Sequence, residues 1–203
     1  MWSLDRVRDA LGQRIPARVE GPVSMRAAVA LILREGPSGL ELLFMRRAEH
    51  ENDPWSGHIS FPGGRAEPGE DDPLATAIRE TTEETGIDLK GADLLGALDE
   101  VRAMARGRAL DLAIAPFVFR LREPAEGTPN DEVVSLHWLP LERLLAPESR
   151  STTPYPHGDA PVRLPCLQID ELTIWGLTYR MFDDLRELLA AAGASRIAST
   201  KSP

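Results

Sequence analysis

The chain has 203 residues, 42% hydrophobic and 27% charged, an ordinary globular balance that excludes disordered, collagen-like and coiled-coil classes. This length predicts a single domain over residues 1–203, with its core in about 25–192 and a frayed tail at 195–203. Its 23 Lys and Arg against 32 Asp and Glu give a net charge of −9, so it lacks the positive field that nucleic-acid binding requires. One cysteine, Cys166, permits no internal disulfide. The opening MWSLDRVRDALGQRI has no apolar core of signal-peptide length. The longest apolar stretch, Ala27–Leu33, falls far short of the roughly 20 residues of a membrane span. The expectation is a soluble cytoplasmic protein with neither a nucleic-acid nor a membrane partner.

In chain order, residues 2–13 have helical spacing (Leu4, Val7, Ala10, Leu11) and predict a short surface helix. Met25–Arg34 reads as a buried strand, and Leu40–Arg47 as its hairpin partner across a turn at Glu35–Gly39. His58–Phe61 predicts a short strand ending in the glycine turn Pro62-Gly63-Gly64. A helix follows from Pro73 to Thr85, because Asp72 suits the N-cap, Pro73 the first helical position and Gly86 the stop. Leu94–Arg102 and Leu112–Leu121 predict further strands, and Val133–Trp138 another, with a helical turn at Leu141–Leu145. Pro147–Pro165 mixes Pro, Ser, Thr and Gly without periodicity and reads as a surface loop. Trp175–Ala192 predicts a C-terminal helix. Strands and helices mix without strict alternation, which predicts a mixed sheet covered by helices on both faces.

The acid is unevenly spread. Residues 64–86 hold seven acidic residues against two arginines, more than half of the excess negative charge in 23 positions. On a helical wheel, Glu80, Glu83 and Glu84 fall on one side and Leu74, Ile78, Thr81 and Thr85 on the other, which predicts an inward apolar face and an outward acidic one. Arg79 can pair with Glu83 at i,i+4. Glu80 and Glu84 repel at the same spacing, with no Lys or Arg three or four positions away to relieve them. Such a pattern is either a solvated acidic face or a set of carboxylates waiting for a hard divalent cation. The glycine turn and the acidic loop just before the helix favour the second, since glycine lets backbone approach a ligand closely.

The run FPGGRAEPGEDDPLATAIRETTEETGI resembles the signature of the Nudix hydrolases, which cleave nucleoside diphosphates linked to another moiety. Gly64, Glu70, Arg79, Glu80, Glu83, Glu84, Gly86 and Ile87 fit its fixed positions. There are two departures: eight residues rather than seven separate Glu70 from Arg79, and Thr81 stands where the pattern has an aliphatic residue. The extra residue leaves open whether Glu70 or Asp71 fills the first acidic role. The resemblance implies an α/β fold, an α/β/α sandwich with a mixed sheet between helices. It also implies Mg²⁺ or Mn²⁺ on Glu80, Glu83, Glu84 and the Gly63 carbonyl, with Arg79 orienting the glutamates. The implied reaction is attack of a metal-activated water on a pyrophosphate, with Glu83, Glu80 or Glu132 as the base.

Three further segments resemble the coenzyme A pyrophosphatase-like branch of that family: Trp55–Gly64, Asn130–Val133 with Leu136–Leu141, and Ile174–Thr178. The branch's Leu-Leu-Thr-x-Arg-Ser start is replaced here by LLFMRRAEHENDPWSG. Arg46 and Arg47 remain candidates for a substrate phosphate, with a solvated strand end as the alternative, and Gly64 for close approach of substrate. The expected substrate is coenzyme A or a derivative, giving 3′,5′-ADP and 4′-phosphopantetheine. ADP-ribose, a dinucleoside polyphosphate or a nucleoside triphosphate are the alternatives, and a non-catalytic nucleotide sensor is the alternative of another class. Resemblance to these folds also raises a homodimer. His58, His137 and Trp138 read as structural, Cys166 as inert, and Trp175 as a packing anchor with base stacking as the alternative.

Overall fold

A computed structural model of the chain describes residues 3–12, 14–51, 55–105, 108–156 and 161–199. Its centre is β1 (Met25–Gly36), buried without interruption from Ala27 to Arg34, as a strand covered on both faces must be. It forms the expected antiparallel hairpin with β2 (Gly39–Arg47) and runs parallel to β7 (Arg108–Arg120). Successive side chains of β1 point to opposite faces. Leu31 and Leu33 join a core with Leu42 and Phe44, while Ala30 and Ile32 join one with Leu43 and Phe119. The result is the predicted mixed sheet between helices.

The β1–β2 hairpin pairs only near its turn, from Leu33–Leu42 to Gly36–Gly39, and opens beyond it. The segment Ile59–Arg65 fills the opening. Its first part, β3 (Ile59–Ser60), pairs with β2, and its second, β4 (Gly63–Arg65), pairs with β1. Between them the Ala30 N–H donates to the Pro62 carbonyl at 2.9 Å. The glycine turn expected at 62–64 is therefore a bend that leads into a further strand. Gly63 sits at φ 143° against the Ala28 carbonyl, where a Cβ would overlap backbone.

The helix α2 (Pro73–Thr85) has the predicted bounds. Asp72 caps it by accepting from the Leu74 N–H at 2.9 Å, and Gly86 closes it in the left-handed conformation at φ 68°. The strand expected over Leu94–Arg102 is instead two, β5 (Asp93–Ala97) and β6 (Val101–Ala105), both antiparallel to β7. They part where the Leu98 N–H donates to Pro116 and the Glu100 N–H to Ala17. On the other side of β2 lies β8 (Val133–Pro140), which carries His137 and Trp138 and runs into the helical turn α3 (Leu141–Leu145).

The region expected to be a surface loop is the largest correction. Residues 150–175 build a second, three-stranded antiparallel sheet from β9 (Arg150–Tyr155), β10 (Val162–Ile169) and β11 (Leu172–Trp175). Pro154 and Pro165 read as breakers in the sequence, yet each sits within a strand. Trp175, expected to start the last helix, ends β11, and α4 (Gly176–Ser199) runs past Ser195, while 200–203 of the frayed tail expected at 195–203 lie outside the described residues. The N-terminal helix α1 (Leu4–Leu11) packs Val7 and Leu11 into the same core as Met181, Phe182, Leu185 and Leu189 of α4. Among the described residues no helix is long and apolar enough to cross a membrane.

Candidate functional site

The strand β4 brings Gly63 and Gly64 against α2. Gly64 faces the carboxyl group of Glu80 so closely that a Cβ there would stand 2.5 Å from its Cδ. The Gly63 N–H donates to Glu84 Oε2 at 2.7 Å. Both contacts depend on side chains that the wheel had placed outward. The buried positions of α2 are Thr76, Ala77, Thr81, Glu84 and Thr85, an arc running from about −40° to about +140° with Glu80 at zero and 100° per residue. Glu84 is thus an inward residue, 3% exposed, and Glu80 lies within the same arc, half-buried. The wheel erred because it centred the inward face on the apolar residues, whereas the helix rests its Glu80–Glu84 edge on β4.

Arg79 is the hub of the polar edge. Its guanidinium donates to Glu70 at 3.0 and 3.3 Å, to Glu80 at 3.0 Å, to Glu83 at 3.0 Å and to the Arg65 carbonyl at 3.1 Å. Of the two acids left open by the extra residue, Glu70 is the one on Arg79. These bonds hold its carboxyl down at about 2, well below the usual carboxylate range. Glu83 takes the expected i,i+4 place, but its side chain is 55% exposed and lies off the cavity wall.

Glu84 has less compensation. Burial pushes it up to about 8, against the pull of the Gly63 N–H and of Arg47, whose guanidinium is 3.7 Å away. Burial also raises Glu80, with Arg79 opposing and Glu83 and Glu132 adding repulsion. Glu132 is held by its backbone: its N–H donates to Asn130 Oδ1 at 2.9 Å and its carbonyl accepts from Ala48 at 2.8 Å. Three carboxylates therefore stand together, with Arg47 beside Glu84 and Arg79 on Glu80 as the opposing charges.

Glu80, Glu84 and Glu132 form the acidic end of a cavity of about 1050 Å³, together with Gly63, Gly64 and Arg47. Arg46 is not on its wall: it shares a face of β2 with Phe44, its charge acts on His137, which pairs with Phe44, and among the described residues its Nε is buried without a partner. Residues that sequence reading missed make the rest. Val29, Met104, Leu112 and Ile114 form an aliphatic wall on the main sheet. His58, Tyr155 and Trp175 form an aromatic wall, with His58 4.7 Å and Tyr155 5.5 Å from the Trp175 ring. His58 reads as structural in the sequence and Trp175 as a packing anchor with base stacking as its alternative, while Tyr155 lies in the expected loop.

A family model, the NUDIX domain, matches residues 24–156. The chain belongs to the Nudix family. An uncharacterized protein of Schizosaccharomyces pombe is 40% identical over 114 residues, covering 54% of this chain and 35% of that protein, so the match spans about a third of the relative's length. The mitochondrial coenzyme A diphosphatase of Homo sapiens is 28% identical over 178 residues, covering 80% of this chain and 73% of that protein. The solved structure of a MutT protein from Methanosarcina mazei superposes with a TM-score of 0.50 at 21% identity, over 88% of this chain and 98% of that one, a likeness of fold.

The donor set of this Nudix domain suits a divalent cation. Among the described residues no three acidic or imidazole groups are gathered into a cage. Mg²⁺ does not require one, because it is commonly held by one or two carboxylates with substrate phosphate and water completing the shell. Glu84 and Glu80, desolvated and short of positive charge, are the residues to hold it.

Proposed function

We propose that this protein hydrolyses the pyrophosphate bond of a nucleoside diphosphate derivative, using Mg²⁺ or Mn²⁺, and that its substrate is coenzyme A or a close derivative. The observation that carries the reading is the shape of one cavity. Its acidic end suits a metal-bound diphosphate, and two chemically different walls suit the two arms of an unsymmetrical substrate. Its volume, about 1050 Å³, sits at the upper end of the roughly 300–1,000 Å³ of ligand pockets, which suits a large substrate. The resemblance to a coenzyme A diphosphatase of another organism supports the same substrate class.

When bound, the cation supplies neutralisation of phosphate charge and acidification of a water. The chain supplies the rest. Glu84 and Glu80 are fixed from behind by the Gly63 N–H and Arg79, so their carboxyls need no reorganisation. Arg47 presents a cation to a phosphate oxygen at the cavity wall. Glu132, held by its backbone at the rim, takes the water's proton on its carboxylate. Glu83 serves by neutralising Arg79.

A panel of coenzyme A, ADP-ribose, a dinucleoside polyphosphate and a nucleoside triphosphate, each with Mg²⁺ and with Mn²⁺, tests this by chromatography of the products. The expected result is 3′,5′-ADP and 4′-phosphopantetheine from coenzyme A, at a rate that collapses under chelation. Coenzyme A left intact while ADP-ribose is cleaved overturns the substrate. No cleavage of any member overturns the activity.

A further inference from the structure

The two walls of the cavity differ in a way that assigns the two arms of the substrate. Val29, Leu112, Ile114 and Met104, from β1, β6 and β7, give the main-sheet side of the cavity a curved, deformable surface, and the ring on that side, Phe61, is 1% exposed and packed on Phe44. The small-sheet side combines His58, which immediately precedes β3, with Tyr155 at the end of β9 and Trp175 at the end of β11, beside Val162 and Leu164 of β10. Trp175 is half-buried, with Tyr155 tilted by 51° and His58 by 54° against it, so the neighbouring rings brace the indole. Such a braced ring at a cavity wall is the surface on which a heterocyclic base stacks.

The same wall carries the cation that a nucleotide with a second phosphate requires. Gly176, at φ 65°, follows the strand and opens α4, and Arg180, the fifth residue of the helix, lines the cavity. The buried Thr178, 7% exposed, lines it between them. Arg47 stands at the acidic end beside Glu84, and Arg46 lies off the wall, so neither of the arginines singled out by sequence is placed to serve this end.

We propose that the small-sheet wall is the nucleoside subsite, in which Trp175 stacks the base and Arg180 pairs with a phosphate on the ribose, while the aliphatic wall takes the flexible arm. This rests on the hydrolytic reading above for the identity of the substrate's two halves. It adds Trp175 and Arg180 as determinants of specificity.

The two product halves serve as probes, since their binding is measured by calorimetry without turnover. The full chain is titrated with adenosine 3′,5′-diphosphate, adenosine 5′-monophosphate and 4′-phosphopantetheine. Trp175→Leu is expected to weaken adenosine 3′,5′-diphosphate about tenfold and to leave 4′-phosphopantetheine unchanged. Trp175→Phe, which keeps a flat ring, is expected to restore most of that loss and so controls for misfolding. Arg180→Gln is expected to abolish the preference for adenosine 3′,5′-diphosphate over the monophosphate while leaving monophosphate binding intact. Loss of 4′-phosphopantetheine instead of the nucleotide in Trp175→Leu overturns the assignment, as does nucleotide binding that no variant alters or that the wild type lacks. Nucleotide binding that depends on Trp175 in a protein that cleaves no diphosphate overturns the proposed activity and leaves the subsite standing.

Discussion

Two arginines in this molecule each gather several carboxylates, and they do opposite things. Arg34 is a balanced centre. Its guanidinium bonds Glu41 at 2.8 Å, Glu126 at 2.9 Å and the Ala125 carbonyl at 2.9 Å, and lies 4.1 Å from the centre of the Trp138 ring. Both Arg34 and Glu41 are buried, and only Glu126 reaches water. Arg79 instead serves Glu70, Glu80 and Glu83 at once, and beside that set stands Glu84, more buried than any of them. In the first cluster the buried charges match, Arg34 against Glu41, and the second carboxylate, Glu126, is in water. The other leaves negative charge over, on the residues that line the cavity. A buried pair that is complete holds structure together, while an incomplete one is a place for something else to bind.

The two centres should therefore respond oppositely to neutralisation. The largest effect is expected at the balanced one. Arg34→Met leaves Glu41 buried and unpaired, which costs about 3–5 kcal/mol in chemical denaturation, with specific activity per folded molecule unchanged. At the surplus centre the order reverses. Glu84→Gln keeps an oxygen for the Gly63 N–H but removes the charge, so unfolding free energy should hold or rise. Turnover should fall by at least about 10²-fold, and the thermal stabilisation given by Mg²⁺ should vanish. A Glu84→Gln protein that unfolds early and cleaves at the wild-type rate would break the contrast.

The two adjacent glycines sharpen it further. A Cβ at Gly63 meets backbone of Ala28 and Val29, and its φ of 143° disfavours any side chain, so Gly63→Ala should cost about 1–3 kcal/mol of stability. The three atoms nearest a Cβ at Gly64 all belong to the carboxyl end of Glu80. Gly64→Ala should displace that carboxyl, lowering activity about tenfold or more with a far smaller change in melting temperature. Similar losses of stability in both would show that Glu80 cannot move.

What sequence reading captured and what it missed follow this same division. The α2 bounds, its caps, the Arg79–Glu83 pair and the β1–β2 hairpin are local, set by residues within a few positions of one another. The inward turn of Glu84 is not local: it exists because β4 wedges into the opened hairpin and offers the Gly63 N–H, which no wheel contains. The second sheet was hidden by Pro154 and Pro165, which read as punctuation although each is paired across strands. With that sheet went Tyr155 and the cavity-facing role of Trp175. Most of the charged end of the site lies in one stretch of chain, joined by Arg47 and Glu132, whereas the apolar walls named above come from β1, β6, β7, β9, β11 and the segment before β3.

The smallest expected effect concerns Glu70, the residue that ties the acidic loop to Arg79. Its bonds to Arg79 lower its carboxyl from an ordinary 4.5 to about 2 in the folded chain. A group depressed on folding contributes stability above its unfolded value and loses it as pH falls toward the folded one. Glu70 should therefore support the fold fully at neutral pH and progressively less from about pH 4.5 down to about pH 2. Glu70→Gln removes this dependence, so denaturation curves at pH 7 should show a loss of about 1–2 kcal/mol that shrinks to nothing by about pH 2. Arg79 keeps Glu80 and Glu83 in the variant, so the helix edge should survive and the catalytic loss should be smaller than for Glu84→Gln. A loss of stability that is the same at pH 7 and at the acid limit would mean that Glu70 acts through packing of the loop, and that the charge surplus on Arg79 is set by the helix alone.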